Sequence, residues 1–313
     1  MKRNRLSIGV DYQSAAQSGK SGVGYYTKGM VEALARAYPD AQIYIRYYNF
    51  LNRSTVDTPN LPNVRTVSNK LIHPRLVNFL RRLGVEIPFT LLLRKRCQAY
   101  FFPSFINHPV PKNATVITTI HDLAYIEIPE SVSPRNRSDL TKFVPKYIKR
   151  STQVATISEY TKSRIKEYYP YNPGIFVTQT PPSFKESSSN QTELLPPNTP
   201  KHYILFVGNI EPRKNLIRLL EAYEQLDSKL QEKYALVMAG GGGWNNQDIL
   251  DKIKLLRESG LTITTPGYVS ENELITLYKY ASLFVFPSLY EGYGIPPLEA
   301  MQFNTPVVAA DIP

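Results

Sequence analysis

Two glutamates flank a glycine- and proline-rich bend in EGYGIPPLEA, residues 291–300. Pro296 and Pro297 suit a first helical turn, where the fixed φ of proline is helical and its missing N–H is not needed. The glycines before them let the backbone turn tightly and approach a ligand closely. The sequence therefore predicts a helix from Pro296 that carries Glu299 in its first turn, with Glu291 at the end of the preceding strand.

This arrangement could bind a sugar and a phosphate together. The amide groups and the positive dipole end at a helix start attract anions, and a carboxylate beside them can hold ribose or sugar hydroxyls. Glu291 and Glu299 would then face the same ligand. The alternative is that Glu299 only complements the helix dipole, and the spacing alone favours this structural interpretation over a binding role.

A pair of cations follows a predicted strand in FVGNIEPRKNL, residues 206–216. Arg213 and Lys214 in this position could clamp a diphosphate and neutralise the charge that develops as it leaves. The alternative is a solvated basic pair. A helix start disfavours cations, so their placement there favours a functional role.

The first half contains two weaker patterns. SGKSGVGYY, residues 18–26, presents Gly22 and Gly24 in a predicted loop, although its GxxGxG spacing matches neither a dinucleotide fingerprint nor a Walker motif. TIHDL, residues 119–123, ends a buried strand with His121 and Asp122, and a lone histidine is more often structural. No Asp-x-Asp occurs and the four histidines lack metal-ligand spacing, so no metal site is predicted.

Strands and helices alternate along the chain in a way that can position these residues. Several strands are continuous apolar runs, which are typical of a parallel sheet buried on both faces. Strands are predicted at residues 6–11, 42–48, 64–67, 99–102, 116–120, 154–157, 175–178, 203–208, 235–239, 261–264, 283–287 and 307–310. Helices are predicted at residues 24–38, 134–150, 159–168, 248–258 and 271–280, and from residues 215 and 296.

A segment rich in Ser, Pro and Asn separates two such α/β patterns. The sequence predicts an N-terminal domain over residues 1–182, a linker over 183–200 and a C-terminal domain over 201–313. Both would be Rossmann-like doubly wound domains, facing each other across a cleft where ligands bind. The sequence stops just after a strand, so the second domain is expected to be incomplete, as a fragment or as a natural short form.

The composition indicates partners and location. A net charge of +11 attracts phosphates, but the basic residues are dispersed and no nucleic-acid motif occurs. The densest basic cluster, residues 75–96, alternates with leucines and suits an anionic membrane surface; it equally suits a solvated face on core helices. One cysteine excludes internal disulfides, and without a signal peptide or membrane-length run the predicted location is cytoplasmic, with peripheral contact at the inner membrane face.

Taken together, these motifs resemble glycosyltransferase family 4. Its members are retaining, nucleotide-sugar-dependent transferases of the GT-B fold, and the likeness is greatest to bacterial mannosyltransferases. VGNIEPRKNL, PGYVSENEL and PSLYEGYGIPPLEAM follow in the family's order and spacing, and SGVGYY, HDL and ISEYTK match in the first half. The resemblance implies transfer of a sugar, with GDP-mannose favoured over a UDP-sugar, to a glycan or lipid-linked acceptor in surface polysaccharide synthesis.

The resemblance also assigns roles to the C-terminal motif. It implies that Glu299 binds the ribose of the donor nucleotide and that Glu291 contacts hydroxyls of the donor sugar. The backbone of Gly292, Tyr293 and Gly294 would assist Glu291. No cofactor is implied, because the nucleotide sugar is itself a substrate.

Three further roles follow from the same likeness. Arg213 and Lys214 would hold the diphosphate, although Asn209 stands where many members carry another arginine, which makes Arg213 the less secure assignment. The loop at Gly22 and Gly24 would close over the phosphates. His121 would lie beside the sugar near the reaction centre.

Two rival functions remain. A nucleotide-sugar 2-epimerase shares the two-domain architecture, but it needs acid and base groups on both faces of the sugar, and only His121 and Glu291 are candidates. A non-catalytic partner in a glycosyltransferase complex would bind the donor without turning it over. Incubation with the donor alone separates an epimerase from a transferase.

Overall fold

A computed structural model of the chain describes residues 5–16, 22–52, 55–170, 173–178 and 194–312. The chain divides into two compact units, Met1–Leu123 with Ser138–Gln179 and Ala124–Arg137 with Thr180–Pro313. Residues 18–21 of the first glycine motif and residues 183–193 of the predicted linker lie outside the described residues.

The first unit contains a seven-stranded sheet in which every neighbouring pair of strands is parallel. Its strands are β1 (Ser7–Asp11), β2 (Gln42–Tyr48), β3 (Val64–Asn69), β4 (Ala99–Phe102), β5 (Thr115–Ile120), β6 (Gln153–Thr156) and β7 (Gly174–Val177). The order β3-β2-β1-β4-β5-β6-β7 reverses direction between β1 and β4. All seven strands were predicted to within two residues.

Helices lie in the connections from β1 to β2, β3 to β4, β5 to β6 and β6 to β7 of this parallel sheet. They are α1 (Gly22–Ala37), α2 (Pro74–Arg82), α3 (Phe89–Leu93), α4 (Ala124–Glu127), α5 (Pro134–Arg150) and α6 (Glu159–Tyr168). His73 begins α2 as its N-cap and Pro74 occupies its first turn. Ser158 caps α6 by accepting a hydrogen bond from the Thr161 amide.

The second unit contains a five-stranded parallel sheet in the order β10-β9-β8-β11-β12. Its strands are β8 (Tyr203–Val207), β9 (Ala235–Ala239), β10 (Ile263–Gly267), β11 (Leu283–Phe286) and β12 (Val307–Ala309). Its helices are α7 (Leu216–Glu224), α8 (Ser228–Lys233), α9 (Gln247–Glu258), α10 (Glu271–Tyr280) and α11 (Ile295–Gln302). The strand order reverses between β8 and β11.

The central strands β8 and β9 of the second sheet are buried on both faces. Leu205 and Val237 pack into one apolar cluster, whereas Phe206, Leu236 and Met238 pack into another. Successive side chains of a strand point to opposite faces, so a continuous apolar run fills two cores at once. The predicted α/β class with two parallel sheets is confirmed.

Within the described ranges, no helix combines the length and the apolar character that a membrane crossing needs.

Candidate functional site

The candidate site of the second unit lies at the carboxyl ends of β8 and β11. These two strands are neighbours at the point where the strand order reverses, and open α/β sheets bind ligands there. A 3-10 turn at Pro212–Lys214 follows β8, and the segment after β11 leads to Glu291. The Leu289 amide donates to the Arg213 carbonyl at 2.9 Å, which ties the two segments together.

Glu291 forms ion pairs with both predicted cations. Its Oε1 accepts from Lys214 Nζ at 2.5 Å, and its Oε2 accepts from Arg213 Nη1 at 2.8 Å. Arg213 also donates through Nε and Nη2 to Glu211 Oε1, at 3.2 and 2.9 Å, and through Nη1 to the Tyr290 carbonyl at 3.0 Å. The acid and the basic pair that the sequence places in separate motifs therefore form one contact cluster.

Burial and charge oppose each other in this cluster. Burial by itself would raise the pKa of Glu291, but Lys214 and Arg213 outweigh it and hold that pKa below its ordinary value. Burial lowers the pKa of Lys214, and the Glu291 carboxylate opposes this shift without reversing it. Lys214 is only 7% exposed, so an anion must stay beside it for the charged form to be favourable.

Glu299 is buried and is held by a second helix. Its Oε2 accepts a hydrogen bond of 2.8 Å from the Tyr278 hydroxyl on α10. Burial raises the pKa of Tyr278 and Glu299 raises it further, so the phenol remains a donor. The predicted placement of Glu299 in the first helical turn is wrong: α11 begins at Ile295, and Glu299 is its fifth residue.

The turn before α11 depends on one glycine. Gly294 is the N-cap and adopts a left-handed φ of 80°, whereas Gly292 does not have a positive φ. The Tyr293 side chain is exposed. Pro296 and Pro297 follow Ile295 and have no N–H, so the start of this helix offers fewer amide donors than the sequence interpretation assumed.

A run of four glycines, residues 240–243, also lies at this edge of the sheet. The Ile210 amide donates to the Gly241 carbonyl at 2.9 Å, and Ile210 pairs with Gly242 as a parallel bridge beyond β8 and β9. A Cβ on Gly240 would lie 2.1 Å from the Gly208 carbonyl oxygen. The backbones can approach this closely only because side chains are absent.

His121 follows β5 in the first unit and is buried. Its Nε2 lies 2.8 Å from the Pro103 carbonyl, which can only accept, so Nε2 carries the proton and Nδ1 carries the lone pair. Burial lowers the pKa of His121, which favours the neutral ring. Tyr26 packs edge-on against it at 5.0 Å between ring centroids. The GVGYY and HDL motifs therefore meet at these two rings.

The loop predicted at Gly22 is helical, and Gly24, where the predicted helix begins, also lies in α1. Both belong to the first turn of α1, where Gly22 is exposed and Gly24 is buried. Helical spacing begins earlier than the sequence interpretation assumed, because glycine is tolerated at a helix start.

The sequence interpretation missed three features of the second unit. Glu211 was visible beside Pro212 in the EPRK motif, and the glycine run at residues 240–243 was visible as a run. Tyr278 gave no signal beyond its apolar helical spacing. No three His, Cys, Asp or Glu side chains gather as a metal site would require within the part of the chain that the structure describes.

Solved structures share this fold. Sucrose-phosphate synthase from Thermosynechococcus elongatus superimposes with a TM-score of 0.68 at 17% identity, covering 98% of this chain and 82% of that one. Anabaena HepE, solved in complex with UDP and glucose, superimposes with a TM-score of 0.59 at 14% identity, covering 98% and 81%. The class that the fold defines is that of the GT-B glycosyltransferases.

Sequence similarity identifies the family. Residues 188–313 match the family described as glycosyl transferases group 1. O-antigen chain mannosyltransferase B of Escherichia coli is 30% identical over 312 residues, covering 93% of this chain and 79% of that protein. O-antigen chain mannosyltransferase RfbU of Salmonella typhimurium is 27% identical over 306 residues, covering 94% and 80%. The chain belongs to the group 1 glycosyltransferases, glycosyltransferase family 4, as the sequence motifs predicted.

Proposed function

We propose that this enzyme transfers mannose, with retention and without a metal ion, from GDP-mannose to a glycan or lipid-linked acceptor in surface polysaccharide synthesis. A UDP-sugar is the second choice of donor. The observation that carries the proposal is the Lys214–Glu291 contact at the reversal point of the second sheet, with Glu299 on the helix that follows. The similarity to two O-antigen mannosyltransferases supports the choice of sugar.

The residues of the second unit would divide the donor between them. Lys214 would supply the positive charge beside the diphosphate, a role that a metal ion fills in other transferases. Glu299 would accept hydrogen bonds from the ribose hydroxyls, and Glu291 would hold hydroxyls of the sugar. The tetraglycine backbone would let the nucleotide approach the sheet edge closely.

The reaction follows from these contacts. The bond between the anomeric carbon and the diphosphate oxygen breaks through an oxocarbenium-like state, and the acceptor hydroxyl forms its bond from the same side. The proton of that hydroxyl passes to the departing phosphate, so no separate base is required. His121, with its lone pair on Nδ1, would accept a hydrogen bond from a sugar hydroxyl.

The two domains would have different tasks in this proposal. Residues 1–182 would form the acceptor side and residues 201–313 the donor side, with residues 183–200 as the linker.

A thermal-shift screen of nucleoside diphosphates identifies the base. A ligand at 100 times its Kd adds roughly 2.7 kcal/mol of stability, and GDP is expected to stabilise the protein more than UDP. Lys214→Gln should reduce this gain by roughly half or more, because a tenfold rise in Kd leaves about 1.4 kcal/mol at the same ligand concentration. If neither diphosphate raises the melting temperature of the wild-type protein, the donor-site proposal fails.

A transfer assay then tests the chemistry. Labelled donor is incubated alone and with lipid-linked acceptors, in the presence and absence of EDTA. An α-linked product from an α-linked donor, formed only with acceptor and unaffected by EDTA, is expected. Epimerised donor would indicate an isomerase, an inverted product would refute the mechanism, and binding without any turnover would favour a non-catalytic partner.

The α2 surface supports contact with an anionic membrane. Leu76 and Phe79 lie on one face of α2, and Leu83 continues this spacing at the C-cap. These three side chains are 52% to 64% exposed, whereas Val77 and Arg81 on the other face of α2 are buried. Such a face is unfavourable in water and suits an interface. Basic residues of the same sequence segment are also exposed: Arg75, Arg94, Lys95 and Arg96.

We therefore propose that this surface rests on the inner face of the membrane. Sedimentation with vesicles is expected when they contain phosphatidylglycerol and not when they contain phosphatidylcholine alone. Lys95→Glu with Arg96→Glu should weaken binding at least about fivefold per residue, because ~1 kcal/mol of attraction is lost with each cation and the new carboxylate is also repelled by the anionic surface. The double variant Phe79→Ser/Leu83→Ser should also lose binding.

Two exposed residues of α9 provide matched controls. Leu255 is 57% exposed and the Lys254 side chain is 76% exposed. Leu255→Ser and Lys254→Glu should leave vesicle binding unchanged. If these controls reduce sedimentation as much as the α2 variants do, the attraction is a general effect of charge and apolar exposure.

A further inference from the structure

The guanidinium of Arg213 is already committed to protein acceptors on every nitrogen. Nε and Nη2 share Glu211 Oε1, while Nη1 reaches both Glu291 Oε2 and the Tyr290 carbonyl. Two of these partners are carboxylates, so the contacts are charge-assisted and hold the planar group in one orientation. These contacts use four of its five N–H donors, so Arg213 could clamp a diphosphate with two hydrogen bonds only by giving up some of these pairs.

Lys214 is bound differently. Its ammonium carries three protons, and across the described ranges Glu291 is the one acceptor that it meets. Its Nζ lies 5.0 Å from the centre of the Phe286 ring. The ammonium can therefore keep its contact with Glu291 and still donate to a phosphate oxygen.

Glu211 explains why Arg213 is so placed. It is the N-cap residue of the 3-10 turn that contains Arg213 and Lys214, and its side chain makes no capping hydrogen bond. The carboxylate receives two hydrogen bonds from Arg213 instead. Hydrogen bonds thus link three side chains in series, from Glu211 after β8, through Arg213, to Glu291 after β11.

We propose that Arg213 is a positioning residue rather than a ligand of the diphosphate. Braced by Glu211, it fixes the Glu291 carboxylate and the Tyr290 carbonyl for the donor sugar, and Lys214 is the cation that meets the diphosphate. This inference rests on the proposed function, because it assigns roles within the same donor site.

The test separates the diphosphate from the sugar. Calorimetry gives Kd for the nucleoside diphosphate and for the matching nucleotide sugar, and slow hydrolysis of the donor by water gives kcat without an acceptor. Lys214→Gln should weaken binding of the diphosphate about tenfold or more, the loss of one charge-assisted hydrogen bond. Arg213→Gln should change the Kd for the nucleoside diphosphate less than about threefold. It should nevertheless remove the additional affinity that the sugar gives the nucleotide sugar over the diphosphate, and it should lower kcat for donor hydrolysis.

Glu211→Gln provides the second variant. Glu211 would affect the sugar only through Arg213, so this change should reproduce the Arg213→Gln pattern in weaker form. A purely structural role for Arg213 would lower the melting temperature without selective loss of sugar affinity. Arg213→Lys should not restore sugar affinity, because one ammonium cannot span Glu211, Glu291 and the Tyr290 carbonyl together.

The outcomes are distinguishable. If Arg213→Gln weakens diphosphate binding as much as Lys214→Gln does, or if Glu211→Gln leaves sugar affinity intact, the positioning role is refuted while the donor site stands. If the wild-type protein binds no nucleoside diphosphate, the proposed function fails first. Diphosphate binding by Arg213→Gln would itself show that the variant is folded.

Discussion

Replacing Tyr278 with phenylalanine removes the hydroxyl that holds Glu299. The Tyr278–Glu299 hydrogen bond is 2.8 Å long, and both residues are buried. A hydrogen bond to a charged group contributes about 1.5–3 kcal/mol, and each kcal/mol corresponds to roughly 4 °C in a unit of this size. Tyr278→Phe should therefore lower the melting temperature by roughly 6–12 °C.

The same change should weaken nucleotide binding through the ribose. If Glu299 holds the ribose hydroxyls, the loss of its fixed orientation should raise Kd for the selected nucleoside diphosphate about 5- to 20-fold, the equivalent of ~1–1.8 kcal/mol. The 2′,3′-dideoxy analogue lacks those hydroxyls, so its Kd should change less than about twofold. Isothermal titration calorimetry measures both values.

Tyr203→Phe is the matched control. Tyr203 is also buried in the second unit, and its hydroxyl donates to the Leu277 carbonyl at 2.8 Å, a neutral acceptor. The variant should lose about 0.5–1.5 kcal/mol of stability and keep both nucleotide affinities. Equal weakening of the ribose and dideoxy nucleotides by Tyr278→Phe would refute the link between Tyr278, Glu299 and the ribose.

Three other changes test the fold. Burial lowers the pKa of His108 from 6.5 to about 4, although Asp11 opposes the shift. The unfolded chain therefore protonates this histidine at a higher pH than the folded chain does. The free energy of unfolding should fall by ~3 kcal/mol as the pH drops from 6.5 to 4. His108→Asn should flatten this acid limb in melting curves, and an unchanged slope would contradict the assignment. Gly240→Ala should prevent stable folding of the second unit, because the new Cβ would lie 2.1 Å from a backbone oxygen. The control variant Gly29→Ala should be tolerated, because its Cβ would meet nothing within 4 Å. Circular dichroism measures the folded fraction of both variants. Burial raises the pKa of the Cys97 thiol to about 11, so a thiol reagent at pH 8 should label the protein only after denaturation, and rapid labelling of the folded protein would oppose this.

The contacts that complete the candidate site could not be predicted from the sequence. Arg213 and Glu291 are 78 residues apart and meet only because β8 and β11 are neighbours in the sheet. Tyr278 and Glu299 are 21 residues apart on separate helices, and nothing in the apolar spacing of α10 indicates that its phenol faces a carboxylate. Side-chain pairing of this kind depends on strand order and helix docking, which local patterns do not encode.

The cluster at residues 75–96 shows the same limit. Its sequence suits both a membrane surface and a face on core helices. In the structure some residues of this cluster are in the core and others are on the surface. Val77, Arg81 and Leu92 are buried, whereas Phe79 and Leu91 are exposed. Apolar and basic residues that lie within one helical turn of each other can be assigned to the core or to the surface only when the orientation of the packed helix is known.

The sequence by itself determined the strands, the α/β class and the family motifs. Continuous apolar runs can be buried only between two layers, and glycine and proline restrict the backbone at the positions they occupy. The tertiary structure decided which charges meet, that Glu291 is paired with both cations, and that Glu299 is held by Tyr278. The physical reason is that backbone preferences act locally, whereas the energy of a buried charge depends on partners brought from distant parts of the chain.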